Sequence, residues 1–280
     1  MDKELEKLIH DALKEDCYDK DITSTSIIEN KKDAVGNFIV KTPGILSGTK
    51  ILQEVYRQIS TKVKVNILKK DGDFVNKGDV VASISGKMND ILKGERVALN
   101  FLQILSGVST MTDKYAQELK GTNCQIVDSY KTIPLLKKFT GLAVSDGNGI
   151  NYIQNLSDQI IIKDYHIIMA GSITDAVQKV RLKNGFDFSI DVEITNEEEF
   201  LEALDTDCEI ITLCNLSDEL IEKLCLIPHQ NKIIKVSGNI PIGKIRSIAL
   251  MGVDYISVEN IAHASKALDI CFKFLKKSFN

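Results

Sequence analysis

From Gln125 onward the sequence alternates short apolar runs with amphipathic stretches, and no other feature constrains the fold as much. The runs are Gln125–Asp128, Ala143–Asp146, Ile160–Lys163, Ser189–Ile194, Ile210–Leu213, Ile233–Val236 and Tyr255–Val258. Between them, Ile173–Lys183, Asn196–Leu204 and Ser217–Leu226 repeat apolar residues at the helical period. Parallel strands need a crossover, usually a helix, so repeated βα units build a parallel sheet. Several runs are almost wholly apolar, as strands buried on both faces must be. Seven such strands predict a closed or nearly closed α/β barrel, with a doubly wound sheet as the alternative. No GxGxxG follows the first strand, which disfavours a dinucleotide site.

The N-terminal part has a different texture. Leu5, Leu8, Ile9, Ala12 and Leu13 recur at helical spacing. Phe38–Val40 and Val63–Ile67 read as strands, and Asp71-Gly72-Asp73 and Lys77-Gly78-Asp79 as turns. A long helix is predicted over Asn89–Ser106, its apolar stripe serving core and dimer packing. At 280 residues the chain accommodates a large domain and a smaller one.

Composition excludes several functions. The net charge is -4, with both signs interspersed, so there is no bulk attraction to nucleic acid. Met1-Asp2-Lys3-Glu4 opens a charged amphipathic segment rather than a secretory leader. No apolar run approaches the roughly 20 residues of a membrane span, and a cytoplasmic location is expected. Cys17, Cys124, Cys208, Cys214, Cys225 and Cys271 form no CxxC pair, so neither a zinc site nor a disulfide framework is expected.

In α/β barrels the chemistry lies at the C-terminal ends of the strands. Those ends are polar here: Asp128-Ser129-Tyr130-Lys131, Ser145-Asp146, Lys163-Asp164, Glu193, Cys214-Asn215, Ser237-Gly238-Asn239 and Glu259-Asn260. Lys131 and Lys163 would neutralise phosphate as point charges. Glu193 ends an apolar strand, where it would accept hydrogen bonds from ribose hydroxyls. Ser237-Gly238 would let backbone N–H groups approach a phosphate. Asp128 either orients Lys131 or caps its loop. Gly147-Asn148-Gly149 reads as a plain turn, Cys214 as an inert buried thiol, and His10, His229 and His263 as structural or surface residues.

The order of motifs is more specific. "ALKEDCYDKDITS" (Ala12–Ser24), "ILKGERVALNFLQILSGVSTMT" (Ile91–Thr112), "DSYKTIP", "IIIKDYHI", "GSITDAV", "VSGNI", "GVDYISV" and "HASKALDI" follow one another. In this series the chain resembles, nearly end to end, the quinolinate phosphoribosyltransferase family. The resemblance implies an N-terminal α/β sandwich (1–107), completed by a C-terminal helix (266–280), and an open seven-stranded α/β barrel (108–265). It implies a homodimer with each site at the subunit interface. The implied reaction joins quinolinate to the ribose of phosphoribosyl pyrophosphate (PRPP) with Mg²⁺, releasing pyrophosphate and CO₂ and forming nicotinate mononucleotide.

Carried over residue by residue, the resemblance implies catalytic roles for Lys131, Lys163 and Glu193. Arg96 is similar to the arginine that reaches the neighbouring subunit's site, and His166 to the histidine of the K-D-N-H motif. Ser237 and Gly238 match a phosphate-binding S-G-G, and Ser257 and Glu259 add substrate contacts from the last strand. Other positions depart from the pattern. Tyr130 and Ser145 stand where the family has arginines, and Tyr152-Ile153 where it has a cationic pair. Tyr165 replaces an asparagine, Cys214 an acid that helps hold metal and ribose, and Asn239 a glycine. A charge-assisted hydrogen bond contributes roughly 1.5–3 kcal/mol, so losing three cationic partners weakens recognition of a dicarboxylate. Tyrosine faces suit a flatter, less charged ring. The sugar-phosphate half of the site is thus read as partly kept and the base half as rebuilt. The alternatives are a related phosphoribosyltransferase for another base and a non-catalytic phosphosugar-binding homologue.

Overall fold

The computed structural model describes residues 3–28, 32–152, 155–229 and 231–275. The chain opens with α1 (Lys3–Glu15), α2 (Ile22–Ile27), β1 (Asp33–Val40) and β2 (Gly44–Ile45). Next come α3 (Thr49–Ile59), β3 (Lys64–Ile67), β4 (Phe74–Val75), β5 (Val80–Lys87) and the long α4 (Met88–Glu118). β6 (Gln125–Val127), α5 (Lys137–Asp146), β7 (Ile160–Ile162), α6 (Asp164–Ala170) and α7 (Ile173–Asn184) follow. β8 (Ile190–Ile194), α8 (Glu197–Leu204), β9 (Ile210–Cys214), α9 (Asp218–Cys225) and β10 (Ile233–Gly238) continue the beat. α10 (Ile242–Leu250), β11 (Tyr255–Val258), α11 (Ile261–Ala264) and β12 (Ile270–Phe274) close it.

The described residues fall into two compact units. The first holds those up to Met111, Pro134–Gly147 and those from Ser265 on; the second holds Thr112–Ile133 and Asn148–Ala264. The segment 134–147, read from sequence as part of the barrel, therefore belongs with the first unit.

The first unit is built on an antiparallel sheet of order β12-β1-β5-β3. Alternation in β1 turns Ala34, Phe38 and Val40 inward, as a one-sided sheet requires. Ile9 and Leu13 of α1 and Ile51, Leu52, Val55 and Tyr56 of α3 are buried in this core. The buried Tyr56 hydroxyl donates to the Ile91 carbonyl at 3.2 Å. The resemblance implies a helix over 266–280, but residues 270–274 form β12, antiparallel to β1. Residues 276–280 lie outside the described set. Local glycine and aromatic packing favours the strand. The Phe272 ring lies where a Cβ on Gly36 would sit, tilted against Phe38 with ring centroids 5.1 Å apart. Gly107 of α4 also permits a close approach: an added Cβ would meet the Lys266 carbonyl at 2.5 Å.

The second unit carries a six-stranded parallel sheet of order β6-β11-β10-β9-β8-β7. The first strand pairs with the last and the others follow in chain order, with β6 and β7 at the two edges. That is the strand order of a barrel and not of a doubly wound sheet. One of the seven predicted strands, Ala143–Asp146, is instead the end of α5. Phe139, Thr140, Ala143 and Val144 are buried at helical spacing, a pattern invisible in the last four residues alone. Ile150 takes the remaining place, as a single parallel bridge to Val127. No helix among the described residues is long and apolar enough to cross a membrane.

Candidate active site

Lys163 follows β7 directly and caps α6. Ile162 lies beside Val192 in the β7–β8 register, so Lys163 emerges next to Glu193. The Lys163 Nζ stands 3.6 Å from Glu193 Oε1, with both side chains 18% exposed. It also lies 3.7 Å from the centroid of the Tyr130 ring. Burial works to lower the Lys163 pKa, but the neighbouring Tyr130 and the charge of Glu193 outweigh it and hold it above the usual value. Burial raises Glu193, against the pull of Lys163.

A second pair forms between the loops after β6 and β11, strands that are neighbours in the sheet. Lys131 Nζ reaches Glu259 Oε2 at 2.7 Å, a bond that raises the lysine's pKa. The Lys131 N–H donates to Ser129 Oγ, and Ser257 Oγ donates to the Asp128 carbonyl. Asp128 Oδ1 in turn accepts the Tyr152 N–H at 2.7 Å, so this carboxylate ties the β6 loop to the segment carrying Tyr152.

Gly238, at the end of β10, has φ +156°, and a Cβ there would meet Asn215 Oδ1 at 2.8 Å. The positive φ favours glycine here, and the end of the Asn215 side chain fills the space beside it. Asn215 is itself left-handed, with φ 52°, and its N–H donates to the Ser237 carbonyl. Asn239 Oδ1 accepts from Asn260 Nδ2, so the side chain at the third position of this motif is engaged with the β11 loop. Cys214 lies opposite Ser237 in register. Burial, reinforced by Glu193 and Asp191, pushes its thiol up to about 12, so it is protonated at neutral pH.

His166 serves first as a cap: its Nδ1 accepts the Lys163 N–H at 3.0 Å, and its ring packs on Tyr165. Tyr152 is half-buried, with its ring 5.7 Å from Tyr255 and its hydroxyl accepting from Gln159 Nε2. Ile153 lies outside the described residues. Arg96 and Ser145 belong to the first unit. There Arg96 pairs with Asp16 at 3.0 Å while staying 74% exposed. The exposed Ser145 donates back to Gly141 within α5.

Both parts of the chain match one family. Residues 21–106 match the quinolinate phosphoribosyl transferase N-terminal domain, and residues 108–273 the C-terminal domain. The chain belongs to the quinolinate phosphoribosyl transferase family. A probable nicotinate-nucleotide pyrophosphorylase [carboxylating] of Bacillus subtilis is 34% identical over 267 residues, covering 95% of this chain and 92% of the relative. A quinolinate phosphoribosyltransferase [decarboxylating] of Nicotiana glauca is 32% identical, over 96% of this chain and 82% of its own length. Among solved structures, the nicotinate-nucleotide pyrophosphorylase of Ehrlichia chaffeensis superposes with a TM-score of 0.91 at 37% identity, covering 96% of this chain and 98% of that one.

Within this family fold, the sequence reading misses a pair of charged residues. Asp191 is fully buried, accepting from Lys235 Nζ and from Thr212 Oγ1. The clue lies in the strands "SIDVEI" and "IIKVSG", where single charges interrupt apolar runs; buried charges are rare unless paired. The donor set does not make a standing Mg²⁺ site. Among the described residues no three His, Cys, Asp or Glu converge to hold a metal ion. Glu193 faces Lys163, and the adjacent Cys214 is a neutral thiol, a poor partner for a hard cation.

Proposed function

We propose that this chain joins a pyridine-type acid, quinolinate foremost, to the ribose of PRPP, releasing pyrophosphate and CO₂ to give nicotinate mononucleotide. The observation that carries this is the Lys163–Glu193 pair at the C-terminal ends of adjacent strands, in a chain of this family. As pyrophosphate leaves, positive charge develops on the ribose and negative charge on the leaving oxygens. Glu193 would accept the ribose hydroxyls and stabilise the former, while Lys131 and Lys163 would stabilise the latter. The backbone at Ser237-Gly238 would hold the 5′-phosphate. Mg²⁺ would enter as part of the substrate, on the pyrophosphate oxygens.

A homodimer in which Arg96 reaches the partner's site, working in the cytoplasm, accompanies this proposal. The exposure of the Arg96 side chain, which leaves most of its guanidinium open to solvent beside Asp16, supports such a role. A second reading, a less charged ring, is favoured by one observation: Lys131 and Lys163 already face carboxylates, while Tyr130 and Tyr152 stand at the base-binding positions.

The test is turnover with quinolinate, PRPP and Mg²⁺, following pyrophosphate and nicotinate mononucleotide together, with Lys131→Ala as control. Formation of the nucleotide, lost in the control, supports quinolinate. PRPP binding without turnover moves the assignment to another ring.

A further inference from the structure

Below the strand ends, the interior of the parallel sheet holds a charge pair that the proposed reaction does not use. Asp191 and Lys235 project into the same interior, with side chains 0% and 7% exposed. Thr212, on the strand between theirs, donates its hydroxyl to the other Asp191 oxygen. The Lys235 Nζ lies 5.3 Å from the centroid of the Tyr152 ring, within cation–π range. Tyr152 stands at a base-binding position and is held from several sides. Asp128 takes its N–H, Gln159 donates to its hydroxyl, Tyr255 flanks its ring and Lys235 faces that ring.

We propose that Lys235, locked by Asp191, is a positioning residue for ring specificity, fixing the Tyr152 ring as a wall of the base pocket. This deepens the proposed function and rests on it. Burying a charge pair is costly, and well-packed apolar residues of similar volume often stabilise a core as well or better. Packing alone therefore does not explain this pair. An ammonium held on one side by a carboxylate has a defined direction, which a freely rotating lysine lacks. Directed at an aromatic face, it holds the ring plane that a planar substrate would meet.

Single substitutions strand one buried charge and risk unfolding, so the deciding variant is the double change Lys235→Met/Asp191→Asn. It removes both charges together, and the amide oxygen introduced by Asp191→Asn still accepts from the Thr212 hydroxyl. The wild type and the double variant are compared for thermal unfolding, PRPP affinity, and affinity for pyridine-2,3-dicarboxylate and pyridine-3-carboxylate. Tyr152→Leu serves as the reference for a lost wall.

The expected result is a folded double variant with PRPP affinity within twofold of wild type. Its ring affinity falls at least tenfold, matching Tyr152→Leu, and adding Tyr152→Leu to it brings no further loss. Unchanged ring affinity in the folded double variant overturns the role of Lys235. Unchanged ring affinity in Tyr152→Leu overturns it as well, whether or not the double variant folds. Equal losses for ring and PRPP also overturn it, since they mark a general structural effect. A wild type that binds PRPP but neither ring overturns the proposed function itself, a distinct outcome.

Discussion

Lys163 Nζ stands 3.7 Å from the centroid of the Tyr130 ring, at a position where the family pattern places an arginine. A cation at 130 would repel Lys163; a tyrosine instead receives it on its face. Tyrosine at this position thus gives the strand-end lysine an aromatic partner. Tyr130→Phe keeps that face, and its kcat/KM is expected within about threefold of wild type, whereas Tyr130→Leu loses about tenfold, in line with ~0.5–2 kcal/mol for such a contact. Equal losses in both variants would place the effect in the hydroxyl.

Lys131 separates function from stability. The Lys131–Glu259 pair is solvent-facing, with the lysine side chain 44% exposed, so Lys131→Met is expected to change stability by less than ~1 kcal/mol. Under the proposed function the same substitution removes a charge-assisted contact to the substrate, and kcat/KM should fall about a hundredfold or more, ~2.7 kcal/mol. Thermal unfolding and steady-state kinetics on one preparation check both halves. A variant that unfolds early would mark Lys131 as structural.

Cys214→Asp would restore an acid beside Glu193. Two carboxylates near pyrophosphate oxygens suit Mg²⁺ better than one carboxylate and a neutral thiol. Titrating Mg²⁺ at fixed PRPP should show half-saturation at lower Mg²⁺ in the variant than in the wild type. No shift would mean that the metal is held by pyrophosphate alone.

Asp146 provides a pH-dependent signature in the first unit. Burial raises its pKa above 3.8, with Ser47 pulling it down and Asp71 pushing it up. With the folded value above the unfolded one, the native state binds more protons between the two. Stability contributed by this group is present below about 3.8 and is lost as pH rises through the folded value. Asp146→Asn keeps an oxygen for the Ser47 hydroxyl, which donates at 2.7 Å. The variant should therefore melt above wild type at pH 7, and the gain should shrink as the pH approaches 3.8. A gain independent of pH would exclude this cause.

Gly107→Ala tests close packing. The added methyl would meet backbone at Lys266, which cannot swing aside as a side chain end can. Such overpacking costs typically ~1–3 kcal/mol, read as a lower denaturant midpoint at unchanged slope.

Much of this protein is local information. The apolar runs from β6 to β11 specify parallel strands because each run is short, β-rich and flanked by an amphipathic helix, and Lys163 and Glu193 follow from ending adjacent strands. The motif order places the chain in its family for the same reason: the residues that make a turn or a strand end lie next to each other in sequence. Three features depend on more than the local run. Ala143–Asp146 reads as a strand until Phe139 and Thr140 add the rest of a helical face. The segment 270–274 is part of a helix by family resemblance, but Gly36 leaves room for the Phe272 ring and it pairs as a strand. Asp191 and Lys235 each interrupt an apolar run, 44 residues apart, and only the sheet register brings them together in its interior. Sequence determines which groups are available and which local shapes they prefer; only the folded chain decides which buried charges meet, because burial and pairing are properties of the enclosed space and not of either residue alone.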